Sequence, residues 1–356
     1  MRWWPFPWPK GWREEKPPTE EEEEPPRTLR EQVLLFARDL AVAFVIVAIV
    51  MGILFAYTRV WPPMVVVESD SMQHSDSESF VGVIDTGDLV LVQTVGAQSD
   101  VTPYVSGRLT DYRTYSNYGD VIIFHKPFAS LESTPIIHRA IVYVVPNSGT
   151  GGADVPSLIG RPASEWSGVW MNGTDATTPI GLRSVTIKGV LSWDLQAGGR
   201  KDVTYPLDGV TTAGFLTKGD HNQQGDNWGQ PVAVNRIVGK ARGELPWFGL
   251  IKLTLAPGDT GCCRRGWGDP AAPANSWNSL LVSLVLIVIG PFVADFGWGW
   301  WKERRTAAHG KPTAPVEPPP DPVELPLEGP PTSSEPAPPI TGETQTRSAD
   351  RGDGAP

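Results

Sequence analysis

The sequence predicts a mainly β domain between two transmembrane helices, with disordered, proline-rich ends. Three observations support this fold class. Two long uncharged apolar runs lie towards the two ends of the chain, and short β-rich runs fill the region between them. Of the 36 prolines, 20 lie in residues 1–30 and 302–356, so the folded part is much shorter than the 356 residues of the chain.

Residues 1–30 are predicted to form a disordered cytoplasmic segment, and residues 302–356 a disordered, Pro-rich cytoplasmic tail. Both segments are rich in Pro and Glu and hold too little apolar surface to offset the entropy lost on folding. The net charge of the whole chain is -10. An acidic chain without a basic stripe argues against nucleic acid as a partner.

The first transmembrane helix is predicted over residues 36–60, around the uncharged run LAVAFVIVAIVMGILFAYT. As a helix this run rises about 1.5 Å per residue, enough to cross a hydrocarbon core. The run begins too far from residue 1, and is too long, for a cleavable signal. The second span is predicted over residues 277–297, where a Gly-Pro pair introduces a kink that membrane helices tolerate.

Basic residues flank the outer end of each span: Arg27, Arg30 and Arg38 before or within the start of the first, and Lys302, Arg304 and Arg305 after the second. By the positive-inside rule both termini are cytoplasmic. The region 61–267 is then extracytoplasmic. The expected localisation is the cell membrane, as a multi-pass protein.

The region 61–267 is predicted to be a β domain, because short β-rich runs bounded by Gly, Asp and Pro recur without long amphipathic helices between them. The runs are LVLVQTV from Leu89, DVIIFHK from Asp120, IIHRAIVYVV from Ile136, SVTIKGVLSW from Ser184, AVNRIVGKA from Ala233 and LIKLTL from Leu250. Residues 149–212 are interpreted as an insertion whose role is not readable from sequence.

The only two cysteines, Cys262 and Cys263, are neighbours, so no disulfide framework spans the domain. A zinc site on them is not expected, because no second Cys or His pair follows at ligand spacing. We expect no cofactor.

The reactive residues of the middle region are Ser71, His138, Asp220 and Asp226. A serine hydroxyl becomes a good nucleophile when a positioned base accepts its proton, and a neutral imidazole suits that role near pH 7. A carboxylate then orients the imidazole and stabilises its cation. The residue types for acyl transfer are therefore present, although their separation in sequence also fits unrelated core and turn residues.

A metal site is an alternative use of some of the same residues. Imidazoles and carboxylates are good zinc ligands, and the candidates are His74, His138, His221, Asp220 and Asp226. Neither an i, i+4 histidine pair on a helix nor an HExxH motif is present to support it.

The chain from Met64 to about Leu255 resembles signal peptidase I, the membrane-bound serine endopeptidase, and in particular its archaeal and endoplasmic-reticulum branch. The resemblance rests on six motifs in the order of that family, behind an amino-terminal span. They are ESDSM, IDTGDLVLV, GDVIIFHKP, PIIHRAI, TKGDHNQQGDN and RIVGKARGELPWFGL.

This resemblance implies a role for each candidate. Ser71 matches the nucleophile, and His138 falls where bacterial members have a lysine base and this branch has histidine. Asp220 and Asp226 match the two acidic positions. Asp220 is the favoured partner of His138, with Asp226 as the alternative. Ser69 corresponds to an oxyanion-hole serine.

Two departures from the family pattern stand out: Gln73 and His74 replace a frequent proline after the Ser-Met pair, and about eighty residues separate His138 from Lys218.

The implied function is removal of signal peptides from secreted proteins. The implied partners are preprotein signal peptides, membrane lipid and, as a candidate, the protein-export machinery. Two alternatives stay open. A related self-cleaving protease would normally carry a DNA-binding module, and a catalytically inactive, membrane-anchored β binding module would keep the motifs as scaffold.

Overall fold

The structure is a computed structural model that describes residues 28–193, 199–257 and 262–308. Helix α1, Leu29–Thr58, begins at a capping box in which Thr28 and Glu31 bond to each other's backbone N–H groups. It ends at Arg59, which adopts a left-handed conformation. The helix therefore starts seven residues before the predicted span, and its last turn ends before residue 60.

Helix α4, Ala274–Ala308, contains the second predicted span, with Pro291 inside the helix. Residues 29, 30 and 302–308, predicted to be disordered, are helical. The remaining residues of the predicted disordered ends lie outside the described part of the chain, apart from the cap residue Thr28. Both helices are long and apolar enough to cross a membrane, and the apolar side chains along them are largely exposed. An apolar surface of this size needs an environment other than water.

Between these helices the chain forms antiparallel β structure. The strands are β1 Met64–Val66, β2 Leu89–Gln93, β3 Arg113–Thr114, β4 Asn117–Tyr118, β5 Val121–Phe124, β6 Ile136–Asn147, β7 Gly152–Asp154, β8 Trp166–Trp170, β9 Leu182–Ser192, β10 Gly199–Pro206, β11 Gly214–Lys218 and β12 Ile237–Leu245. Two short helices accompany them, α2 Tyr104–Thr110 and α3 Gly249–Leu255. The prediction of a mainly β domain between two apolar helices is confirmed.

The main sheet has the order β1-β2-β12-β5-β6-β7-β9-β10, with β11 also paired to β6 and β8 to β9. Strand β6 is the longest strand and connects the two halves of the sheet. It pairs with β5 at its start, with β11 through its middle, and with β7 at its end. The start of β6 carries His138, so this strand joins the candidate site to the rest of the domain.

The run LIKLTL was predicted as a strand but forms helix α3, and the prediction is wrong for a clear reason. Leu250 and Leu253 are fully buried, whereas Leu255 is 81% exposed. Apolar residues spaced by three share one face of a helix, but they point to opposite faces of a strand. The helical spacing buries both leucines against the second apolar helix.

Residues 149–212 form strands β7, β8, β9 and β10, of which only β9 was predicted. Their inner faces pack with β6, helix α2 and Leu216 of β11 in one buried cluster, which includes Trp166, Val185, Ile187, Val203 and Tyr205. The insertion is thus an extension of the sheet that packs against the rest of the domain.

Gly119 is the most constrained turn residue near the site. It has a φ of +77°, and a Cβ at this position would lie 2.6 Å from the backbone nitrogen of Tyr104. Its carbonyl accepts a hydrogen bond from the Arg139 guanidinium over 2.9 Å. Both its conformation and its neighbours therefore require glycine.

We predict that Gly119→Ala destabilises the protein far more than Gly160→Ala. Gly160 has nearly the same φ, +76°, but no atom lies within 4 Å of its added Cβ. The control, Gly160→Ala, should lower the free energy of unfolding by about 1–2 kcal/mol because alanine disfavours this left-handed conformation. Gly119→Ala adds a clash with backbone worth a further 1–3 kcal/mol or so. Denaturant unfolding of the full chain in detergent measures both, and equal losses would contradict the packing argument.

Candidate active site

Ser71 lies in a single 3₁₀ turn, Asp70–Met72, shortly after β1. The backbone N–H of Gln73 donates to the Asp70 carbonyl over 2.8 Å and closes the turn. Met72 is fully buried in the core, whereas Ser71 is half-buried. The buried methionine therefore anchors the turn, and the serine beside it stays accessible.

A cavity of about 570 Å³ lies beside this turn. Its lining includes Ser69, Ser71 and His138, three of the predicted site residues. The Oγ atoms of Ser69 and Ser71 lie 3.3 Å apart. The Ser69 hydroxyl is therefore close to any group that bonds to the Ser71 hydroxyl.

His138 is held by Asp226. The His138 Nδ1 atom lies 2.6 Å from the Asp226 Oδ2 atom, and both side chains are 6% exposed. The same Oδ2 atom accepts a hydrogen bond from the Thr217 hydroxyl over 2.7 Å. Because an ionised carboxylate only accepts hydrogen bonds, Nδ1 of the neutral ring carries the proton. The other nitrogen, Nε2, is then free to accept a proton.

Gly219 lies between His138 and the turn that carries Ser71. A Cβ on Gly219 would lie 2.4 Å from the Ser71 carbonyl oxygen and 2.9 Å from His138 Nε2. The N–H of the nearby His221 donates to the Ser71 carbonyl over 2.9 Å. The His138 Nε2 atom and the Ser71 carbonyl oxygen thus both lie close to Gly219.

Asp220 does not contact His138. It is buried and pairs with Arg139, whose Nη2 and Nε atoms donate to its carboxylate over 2.5 Å and 2.8 Å. Burial raises the pKa of Asp220, but the Arg139 guanidinium outweighs burial and holds that pKa below its usual range. The preference for Asp220 as the partner of His138 is therefore wrong, and the alternative, Asp226, occupies that position.

The cations behind the site fix its backbone. Arg139 is fully buried, and its Nη1 atom donates to the carbonyls of Thr114 and Gly119 over 3.1 Å and 2.9 Å. Lys218 is also buried, and its ammonium donates to the carbonyls of Gly219 and Asp220 over 2.9 Å and 3.3 Å. Burial lowers the pKa of Lys218 to about 8. These two side chains hold the turn that carries Gly219 and Asp220.

The insertion contacts the same turn. The Trp193 N–H, which follows β9, donates to the Asp220 carbonyl over 2.8 Å. The Tyr205 hydroxyl donates to the Thr217 carbonyl over 3.0 Å, and Lys218 Nζ donates to the Ser192 hydroxyl over 3.1 Å. The 149–212 region thus bonds to the segment that holds Gly219 and Asp226.

Gln73 and His74, which replace the proline usual in the resembled family, are built into the interior. Gln73 is 2% exposed and accepts a hydrogen bond from the Thr86 hydroxyl over 2.9 Å. The His74 ring nitrogens lie 3.8 Å from Asp85 and 3.9 Å from Asp220, and neither has a hydrogen-bond partner. His74 therefore stands between two buried carboxylates behind the serine turn.

The alternative of a metal site finds no matching geometry. Within the described parts of the chain, no three His, Cys, Asp or Glu side chains are placed to hold a metal ion. His221 Nδ1 lies 3.0 Å from the Gln73 carbonyl oxygen, and Asp226 is engaged with His138.

Three positioning residues, Arg139, Thr217 and Gly219, were not singled out from the sequence. Arg139 had a signal, because a cation inside the apolar run IIHRAIVYVV requires a buried partner if that run is a core strand. Thr217 and Gly219 had none beyond their nearness to Asp220. Their roles depend on distances that no local pattern records.

Comparison of the chain with models of protein families, with curated proteins and with solved structures finds no match.

We predict that Asp220→Asn destabilises the protein more than Asp226→Asn. The first change leaves the fully buried Arg139 without a charged partner, which typically costs about 3–5 kcal/mol. The second change costs less because its partner, His138, can stay neutral. Denaturant unfolding of the full chain in detergent, at neutral pH, measures both variants. An Asp220→Asn variant as stable as Asp226→Asn would show that the Arg139 pair does not support the fold.

The Arg139–Asp220 pair also predicts how the stability of the protein depends on pH. Because the folded pKa of Asp220 lies below its unfolded value of 3.8, its contribution is present above that value and is lost as pH falls through the folded pKa. The wild-type protein should therefore lose more stability on acidification below about pH 4 than Asp220→Asn does.

Proposed function

We propose that the protein is a membrane-bound serine hydrolase in which Ser71 is the nucleophile and His138 the general base. The observation that carries this proposal is the position of His138, between Asp226 and the serine turn, at a cavity also lined by Ser69. This supports the proposal because an acyl-transfer triad is recognised by the geometry and roles of its serine, imidazole and carboxylate, and not by their positions in the sequence.

More particularly, we propose that it is a signal peptidase, an endopeptidase that removes signal peptides from secreted proteins. The six ordered motifs support this choice, together with the two apolar helices that flank the β domain. Signal peptides lie in the bilayer and end at a small-residue cleavage site just outside it. An enzyme tethered in the same plane meets them at a raised effective concentration.

In this mechanism the Ser71 Oγ atom attacks the scissile carbonyl while His138 Nε2 takes its proton. Asp226 holds the imidazole and stabilises the cation that forms. The Ser69 hydroxyl and the Ser71 N–H donate to the oxyanion, and one such donor is typically worth about 3–4 kcal/mol of barrier. His138 returns the proton to the leaving amine, and water then hydrolyses the acyl enzyme.

The assignment is tested with the purified full chain in detergent or lipid and a preprotein substrate. Ser71→Ala and His138→Ala should abolish release of the signal peptide, and Asp226→Asn should lower kcat by about 10⁴-fold because the imidazole loses its tautomer. Ser77→Ala, an exposed serine on the same loop, is the matched control and should retain activity.

Two results would contradict the assignment: a wild-type protein that releases no signal peptide, or a Ser71→Ala variant that cleaves as fast as wild type. The first result would favour the inactive binding module.

Two open strand edges border the cavity and offer a place for an extended substrate. Strand β1 is the last strand of the sheet, and along β6 the partner β11 begins only at Arg139. Val66 and Ile136 line the cavity from these two edges, although three strands separate β1 from β6 in the sheet. The sheet therefore curls, and a peptide backbone in the gap would add to a strand edge.

The hydrogen-bond pattern of β1 shows which residue faces the gap. The Pro63 carbonyl and the Val67 N–H both bond to the β2 side. Since successive residues of an antiparallel strand alternate in direction, the N–H and C=O of Val65 also face β2. Those of Val66 face the open edge.

We predict that Val66→Pro lowers kcat/KM for a preprotein by about fivefold and costs less stability than Val65→Pro, because it removes one donor, worth about 1 kcal/mol, from the open edge. Val65→Pro is the matched control and should lower stability, since its N–H belongs to the β1–β2 ladder. Cleavage and unfolding are measured on the same preparations. Undiminished cleavage by a folded Val66→Pro variant would rule out β1 as the substrate edge.

A further inference from the structure

One wall of the cavity beside Ser71 comes from outside the β sheet. Cys262 and Ala271 line the cavity, and both belong to the segment that joins α3 to α4. We call residues 262–273, which directly precede α4, the linker wall. None of the six sequence motifs includes it.

The linker wall is bonded to the chain just before the nucleophile. The Cys262 N–H donates to the Glu68 carbonyl over 2.9 Å. By the alternation described for β1, Glu68 faces the same open edge as Val66. Cys262 therefore lies at the end of the edge along which a substrate would lie. The residue it bonds there, Glu68, is three residues before Ser71.

The first residues of α4, directly after the linker wall, are bonded to the chain just after the nucleophile. The N–H groups of Ala274 and Asn275 donate to the carbonyls of Asp76 and Ser77 over 3.2 Å and 3.1 Å. The Asn275 side chain accepts from the N–H of Ser79 over 2.8 Å and donates to its carbonyl over 3.0 Å. The linker wall is thus held at both ends against the backbone that flanks Ser71.

The wall is packed, which fixes its distance from the cavity. Cys262 and Cys263 are disulfide-bonded to each other and are 2% and 1% exposed. They belong to a buried cluster with Leu250 and Leu253 of α3, and Trp277 and Leu280 of α4. Interiors packed in this way yield little when a neighbour changes volume.

We propose that the linker wall determines which substrate side chain fits next to Ser71, with Cys262 and Ala271 as the specificity-determining residues. The ligand class is a peptide with a small side chain near its scissile bond. Ala271 offers only a methyl group, and Cys262 is held by its backbone bond and its disulfide. This inference rests on the proposed peptidase function and adds the residues that limit its substrates.

The test uses the full chain in detergent and preproteins that differ only in the residue before the cleavage site: Gly, Ala or Val. Ala271→Leu narrows the cavity and should lower kcat/KM for the Ala substrate relative to the Gly substrate by about tenfold or more. Cys262→Ala/Cys263→Ala widens it and should raise kcat/KM for the Val substrate relative to the Ala substrate by a similar factor. Ala274→Leu, exposed and outside the cavity lining, is the matched control and should keep the wild-type preference.

The possible results separate the two proposals. If wild type cleaves but all variants keep its preference, or if Ala274→Leu shifts it as much as Ala271→Leu, the linker wall does not determine specificity and the proposed function stands. If wild type shows no Ser71-dependent cleavage, the proposed function and this inference fail together.

Discussion

The buried ion pair between Arg139 and Asp220 is the contact on which the candidate site depends. Arg139 follows His138 on β6, and its guanidinium reaches both the Asp220 carboxylate and the carbonyls around Gly119. A single side chain therefore fixes both the strand that carries His138 and the turn that carries Gly219. Such a pair costs desolvation, and it is stable here because the charges and the donors of the guanidinium are largely satisfied.

With that turn fixed, the two aspartates near it take different roles. Asp220 faces inward and satisfies a cation, whereas Asp226, six residues later, returns to His138 with help from Thr217. A carboxylate already committed to an arginine would hold an imidazole less well. One acidic group thus pairs with a buried cation, and the other contacts His138.

Local pattern was enough for the two apolar helices and for five of the twelve described strands, β2, β5, β6, β9 and β12. The choice of Ser71 and His138 came from the order of six motifs in the resembled family. Local pattern was not enough to choose between Asp220 and Asp226, because both follow a glycine in one polar stretch. The register of β6 against β11 decides which carboxylate meets the His138 ring. Local pattern also assigned α3 to a strand. Its two buried leucines are three residues apart, and this spacing favours a helix despite the strand-like composition. The linker wall has no motif, since its place beside Ser71 comes from tertiary contacts alone.

The contacts of the 149–212 insertion bear on how such a chain can change during evolution. Long insertions between strands are usually free to shorten, because their loss leaves the core intact. Here the Tyr205 hydroxyl and the N–H of Trp193, just after β9, bond to the segment that carries Asp220 and Thr217. A shorter relative would have to supply those two donors from elsewhere. The length of the insertion is therefore tied to the geometry of a site that lies more than fifty residues after β7, the first strand of the insertion.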